Sequence, residues 1–236
     1  MTEKPYFLLA IRDELVAIKE LVYENKALVA LLLAAKGLAS NLKAKGINLQ
    51  IEDTQSSNQS AKMLITSEKG VNAAFIQGGV LSEDMAENIQ SLGSIDFEPV
   101  WIFYRKGSIG HPDRLKDLAK LEVGVGPNQS GTWIIANKLF ALNDINIQSN
   151  KNFKVDSYEN NLEDLLNGKL DALINVNPVS DPVVARLLKE PNVELFELTH
   201  ASAYDKQLPF VKVVTLRAAS IDLSLIHISE PTRPER

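Results

Sequence analysis

Leu121-Glu-Val-Gly-Val-Gly-Pro-Asn-Gln-Ser-Gly-Thr-Trp133 is a short apolar strand that breaks into a small polar loop and runs straight into a helix. That order builds an anion site, because the first N–H groups of a helix lack internal partners and the helix dipole points its positive end at the loop. Gly126 and Gly131 allow close backbone approach, and Ser130 and Thr132 can cap the helix or bind a guest. The same residues also fit a plain turn at Gly126-Pro127 with Ser130 as a cap. Ile135, Leu139 and Leu142 share one stripe of the helix, with Ala136 and Phe140 beside them.

Working outward, the strand, polar loop and helix order recurs. Ile47, Leu49 and Ile51 alternate with polar residues as a strand, then Thr54-Gln-Ser-Ser-Asn-Gln-Ser60 opens a helix carrying Met63 and Leu64 that closes at Gly70. The next strand, Val71–Ile76, stops at Gln77-Gly-Gly79, a turn at the strand end where ligands bind in open α/β sheets. Downstream, Asn160–Leu166 reads as a helix, Gly168 as its C-cap and Leu170–Asn175 as a strand. Val71-Asn-Ala-Ala-Phe echoes Leu170-Asp-Ala-Leu-Ile, which suggests two α/β lobes built alike. Between them, Pro99-Val-Trp-Ile-Phe-Tyr-Arg105 suits a buried strand crossing between lobes, and Leu195–Leu198 and Pro209–Leu216 read as returning strands. Two lobes joined this way leave a cleft. Ligand candidates at its rim are Thr54, Ser56, Ser57, Gln77, Gly126, Asn128, Gln129, Ser130, Gly131, Thr132, Asn175 and Asn177.

Composition narrows the partners. The 236 residues are 45% hydrophobic, enough for a core, and the net charge of −5 argues against nucleic acid, which is bound by clustered cations. The absence of cysteine removes disulfides, thiolate zinc sites and cysteine nucleophiles. Ser130 lacks the preceding glycine of a Gly-x-Ser-x-Gly elbow, and His111 and His200 are not spaced with acids as metal ligands. Gly124-Val-Gly126 departs from the dinucleotide spacing at Pro127, and no lysine follows Gly131 as a P-loop requires. No enzyme chemistry, metal or cofactor is therefore expected. Arg105 and Lys106 can reach a ligand carboxylate or simply end a strand in solvent, and Trp101, Phe103 and Tyr104 fit hinge packing or a cleft floor.

The two ends read differently from the middle. Leu8, Ile11, Leu15, Ile18 and Val22 recur at heptad-like spacing, which predicts an amphipathic helix that lies on a membrane, pairs with another helix or caps the core. The apolar run Ala27–Ala35 has nine residues, whereas spanning a bilayer takes about 20. A cleaved signal peptide fits poorly too, since no cleavage site follows. The stretch from Leu223 to Arg236 is similar to the translation of a sequencing adapter, so it is set aside as foreign, His227 included.

Five segments in order, Thr54-Gln-Ser-Ser-Asn58, Asn72-Ala-Ala-Phe-Ile-Gln77, Glu98-Pro-Val-Trp101, Val123-Gly-Val-Gly-Pro-Asn-Gln-Ser-Gly-Thr132 and Leu166-Asn-Gly-Lys-Leu-Asp-Ala172, resemble the TAXI group of solute receptors of tripartite (TRAP) transporters. The resemblance covers about residues 36 to 222, and Gly-Pro-x-x-Ser-Gly-Thr is its most specific part. It implies an α/β, two-lobed type-two periplasmic-binding-protein fold that closes on a small organic acid or amino acid and presents it to membrane subunits. It also implies a periplasmic location beside the bacterial inner membrane, with an N-terminal anchor in some relatives. Such relatives begin the first lobe with a strand and a Gly-rich turn, whereas here Ala35 leads directly into the following helix, so the first lobe is expected to be incomplete. The expected organisation is an N-terminal helix and short apolar anchor over 1–35, lobe one over 36–100 plus 205–222, lobe two over 101–204, and the foreign tail over 223–236. Two other readings stay open. One is an enzyme on a similar fold that holds a phosphate or nucleotide on the Gly126–Thr132 loop, and the other is a membrane-anchored sensor ectodomain.

Overall fold

The computed structural model describes residues 6–14, 26–54 and 56–216. In chain order the strands are β1 (Tyr6–Glu14), β2 (Ser94–Arg105), β3 (Val123–Gly124), β4 (Phe153–Lys154), β5 (Ala172–Val176), β6 (Val193–Leu195) and β7 (Val211–Leu216). The helices are α1 (Lys26–Lys43), α2 (Ser57–Ile65), α3 (Glu83–Ala86), α4 (Leu115–Leu118), α5 (Gly131–Ala141), α6 (Tyr158–Leu166), α7 (Pro182–Lys189) and α8 (Ala201–Gln207). All seven strands join one mixed sheet in the order β4-β3-β5-β2-β1-β7, with β6 pairing the far end of β2. The chain is thus α/β.

β2 organises the sheet. Its first half pairs antiparallel with β1, its second half with β5 and β6, and Val100 is the residue where the partners change, opposite both Leu9 and Val176. Residues 100–104 are all 5% exposed or less, as five consecutive apolar side chains require when both faces of a strand are covered. Alternation sends Val100, Ile102 and Tyr104 to one face and Trp101 and Phe103 to the other. On the first face they meet Leu115 and Leu118 of α4, Ile135, Ala136, Leu139 and Phe140 of α5, and Ala201 and Tyr204 of α8. On the second they meet Leu162 and Leu165 of α6 and Val184, Leu187 and Leu188 of α7. Fully burying one such side chain is worth about 1.5–3 kcal/mol, so this three-layer block dominates stability. A smaller cluster, Ala61, Ala74, Ile76 and Val80, lies under α2, with Ile134 of α5 packed against it.

Several expectations are corrected here. Tyr6–Glu14 is a strand between β2 and β7, where an amphipathic helix was expected. The unbroken apolar run Tyr6–Ile11 serves either period, and two antiparallel ladders decide for the strand. Leu15 to Val22 and the tail 223–236 lie outside the described residues. The apolar run from Ala27 and the helix expected from Lys36 are one helix of 18 residues, and among the described residues no helix is long and apolar enough to cross a membrane. Residues 47–51 and 71–76, both expected as strands, form no named strand, and only Glu52 and Ile76 make bridges. Leu142, expected on the buried stripe of α5, is its C-cap and 43% exposed, since the helix ends before the residue can turn inward.

Candidate functional site

The Gly126–Thr132 loop is built as its residue types require. β3 ends at Gly124, and Gly126 turns the chain at φ +75°, with a Cβ there meeting Ser130 Oγ and Thr132. Ser130 N–H donates to Pro127 O at 3.0 Å, and Ser130 Oγ accepts from Trp133 N–H at 3.2 Å, which caps α5. Thr132 Oγ1 accepts from Val176 N–H at 3.2 Å and so ties the loop to the end of β5. Asn128 and Gln129 are exposed at the loop tip, Gln129 at φ +60°. The N–H groups of Gly131 and Thr132 meet no acceptor among the described residues, as the first turn of a helix dictates.

The second loop is held in the same manner. Ser56 Oγ accepts from Gln59 N–H at 3.2 Å and caps α2, while Thr54 Oγ1 and Ser60 Oγ share a hydrogen bond of 2.6 Å. Asn58 Oδ1 is buried and accepts from no described residue. Ser57 Oγ accepts from Gln77 N–H at 3.0 Å, so this loop is bonded to the Gln77–Gly79 turn.

That turn meets α5. Gln77 is 8% exposed, and its Nε2 donates to Oε2 of Glu98, itself 4% exposed, at 2.8 Å. Its Oε1 lies so close to Gly131 that a Cβ at position 131 would overlap it. Two helical turns along, Lys138 Nζ donates to Gly79 O and sits 5.1 Å from the centre of the Phe210 ring. Burial lowers the Lys138 pKa below the ordinary lysine value. Gly79 has φ +79° and no room for a Cβ against Phe210. The structure therefore brings Ser57, Gln77, Gly131, Thr132 and the end of β5 into one chain of contacts.

The two asparagines go elsewhere. Asn175 sits opposite Trp101 on the face covered by α6 and α7, where its Nδ2 donates to Tyr158 OH at 2.6 Å. Burial first, and Asp181 next, raise the Tyr158 pKa, so the phenol stays protonated. Asn177 Nδ2 donates to Asp181 Oδ2 at 2.8 Å, and its carbonyl accepts from Trp101 Nε1 at 2.9 Å. Asp181 in turn caps α7 through Val183 and Val184 N–H.

Arg105 and Lys106 also lie away from the loop. Arg105 N–H donates to Asp171 O, just before β5 begins, so both residues sit at the opposite end of β5 from Val176. They line a cavity of about 110 Å³ with Leu165, Glu190 and Asn192. Among the described residues no three of His, Asp and Glu are grouped to hold a metal ion. Glu98 and Lys138 are the functional-looking residues that sequence reasoning missed. An acid directly before the apolar run Pro99–Tyr104 was the available signal for Glu98. For Lys138 it was the spacing Gly131, Ile134, Lys138 along one helix face.

Comparison with family models and with characterised protein sequences finds no match. Among solved structures, holo ArgBP from T. maritima is 17% identical with a TM-score of 0.48, covering 92% of this chain and 86% of that one. An ancestral arginine-binding protein bound to arginine is 15% identical with a TM-score of 0.48, covering 84% and 76%. The arginine-bound form of truncated ArgBP from T. maritima is 18% identical with a TM-score of 0.47, covering 84% and 80%.

Proposed function

We propose that this chain is a solute-binding protein of the TAXI kind, which holds a small organic acid or amino acid between two lobes and delivers it to TRAP-type membrane subunits on the periplasmic side of a bacterial inner membrane. The lobes are 36–100 plus 205–222 and 101–204, a division supported by the change of β2 partners at Val100. The ligand carboxylate sits at the N-terminus of α5, where the Gly131 and Thr132 N–H groups and the helix dipole receive it without a charged side chain. Asn128, Gln129 and Ser130 form the lip of this site, and Thr54, Ser56 and Ser57 face it from the loop that opens α2. The observation that carries the reading is the contact of Gln77 with Gly131, which sets the α2 loop and the α5 N-terminus against each other.

Isothermal titration of the chain with dicarboxylates, keto acids, amino acids including arginine, and a nucleotide tests it. Saturable heat with a carboxylate and none with the nucleotide is expected. Ser130→Ala should weaken that binding by about tenfold, because its hydroxyl orders the donor loop and a hydrogen bond to a charged group is worth about 1.5–3 kcal/mol. Nucleotide binding alone, or heat with none of the panel, contradicts the proposal.

A further inference from the structure

We infer that the cavity between the end of β2, the end of α6 and the turn from α7 to β6 is a second anion site, one that holds a small aliphatic monocarboxylate on the Arg105 guanidinium. It lies at the opposite end of β5 from the α5 loop, so it is independent of the carboxylate site proposed there.

Backbone contacts fix the walls of this cavity. Arg105 pairs with Val193 across the β2–β6 ladder, Arg105 N–H donates to Asp171 O at 2.8 Å, and Lys106 N–H donates to Asn192 O at 3.0 Å. Leu165 and Val193, both buried, supply the apolar side. The partly buried guanidinium of Arg105 lies over Gly168, just past the α6 C-cap, where a Cβ would overlap Nη1. There the negative end of the α6 dipole favours the cation. That placement holds the guanidinium without using its N–H donors, which among the described residues make no hydrogen bond and no ion pair. Glu190 lines the same cavity, yet Arg105 and Glu190 form no ion pair with each other, so the space between them is left for a guest.

The guest follows from the lining. A guanidinium presents five donors in a planar fork, and a carboxylate satisfies two of them at once through parallel N–H···O bonds. Arg105 and Lys106 against Glu190 leave one net positive charge around the cavity, which matches a monoanion. Lys106 is the lesser cation, because its side chain is exposed and its Nζ is already 3.8 Å from Glu194. Glu190 supplies the selectivity, since a dianion such as phosphate brings its second charge against this acid. The volume of about 110 Å³ takes roughly four water-sized groups at about 30 Å³ each, the size of acetate or propionate, with the alkyl end against Leu165 and Val193.

The test is amide NMR on the full chain, titrated with propionate and, separately, with inorganic phosphate at matched ionic strength. Propionate should move the Lys106, Asn192 and Val193 N–H resonances together on one saturable curve, and phosphate should bind there at least about tenfold more weakly. Arg105→Gln should weaken propionate binding at these amides by at least about tenfold, as loss of a charge-assisted pair requires. Arg105→Lys, which keeps the charge and the stem but not the fork, should weaken it by at least about threefold. Glu190→Gln should narrow the preference for propionate over phosphate to less than about threefold. Shifts that are absent or do not saturate at those three amides overturn the inference, as do shifts confined to Gly131 and Thr132, which would support the α5 site alone. Phosphate binding as tightly as propionate in wild type also overturns it, and so does an unchanged affinity in a folded Arg105 variant. The wild-type curves decide even if a variant does not fold.

Discussion

Residues 121–176 and residues 47–81 are written in the same way, strand, polar loop, capped helix, and the structure treats them differently. In the first, β3, β4 and β5 close a parallel ladder, and Val123, Val125, Ile135 and Leu173 are all fully buried. In the second, α2 forms with its Ser56 cap, but the strand-like segments on either side join no ladder, and Ile47 and Leu49 remain 51% and 40% exposed. The difference teaches which parts of a fold are local. A helix closes its hydrogen bonds within itself and needs only a cap and an apolar stripe, whereas a strand needs a neighbour at the right edge.

The largest expected effect is on backbone opening. Hydrogen exchange should be at least about a hundredfold faster for amides of 47–51 and 71–76 than for those of 123–125 and 172–176, because only the latter sit in ladders covered on both faces. Equal, strong protection in both regions would break the comparison.

Next in size are core truncations. Phe140 is fully buried and packs edge-on against Phe153 with ring centres 4.8 Å apart, so Phe140→Ala should cost about 3–5 kcal/mol in urea unfolding. Ile47→Ala, at an exposed position, should stay within about 0.5 kcal/mol. A similar cost at both positions would mean that the first region has a core of its own.

The smallest effect is a pH dependence at the contact between the regions. Burial lowers the Lys138 pKa in the folded chain, so between that value and the ordinary lysine value of 10.5 the unfolded chain holds the extra proton. Stability from this group therefore rises as pH increases through that alkaline window, and below it the penalty of burying the charge is fully present. Lys138→Met should flatten that rise, measured as melting temperature against pH. A rise of unchanged slope in the variant assigns it to another group.

What could be read from the chain follows the same division. The Ser130 cap, the Gly168 stop and the buried run Val100–Tyr104 are local signals, and each is where the sequence puts it. Tyr6–Glu14 was not legible, because its identity as a strand depends on β2, roughly 90 residues away, and on β7, roughly 200 away. Within the candidate site, Gly131 and Thr132 could be proposed from helix-end chemistry alone. The partners of Asn175 and Asn177 could not be named, since the sequence does not say that Tyr158 and Asp181 lie within hydrogen-bond reach of them.

The central claim is that the N-terminus of α5 receives the ligand carboxylate. Amide NMR during titration with an amino acid that gives heat in calorimetry tests it most directly. The Gly131 and Thr132 N–H resonances should move downfield, among the largest shifts in the spectrum, and saturate with the Kd found by calorimetry. Saturable binding that leaves those two amides unmoved while shifting others would contradict it.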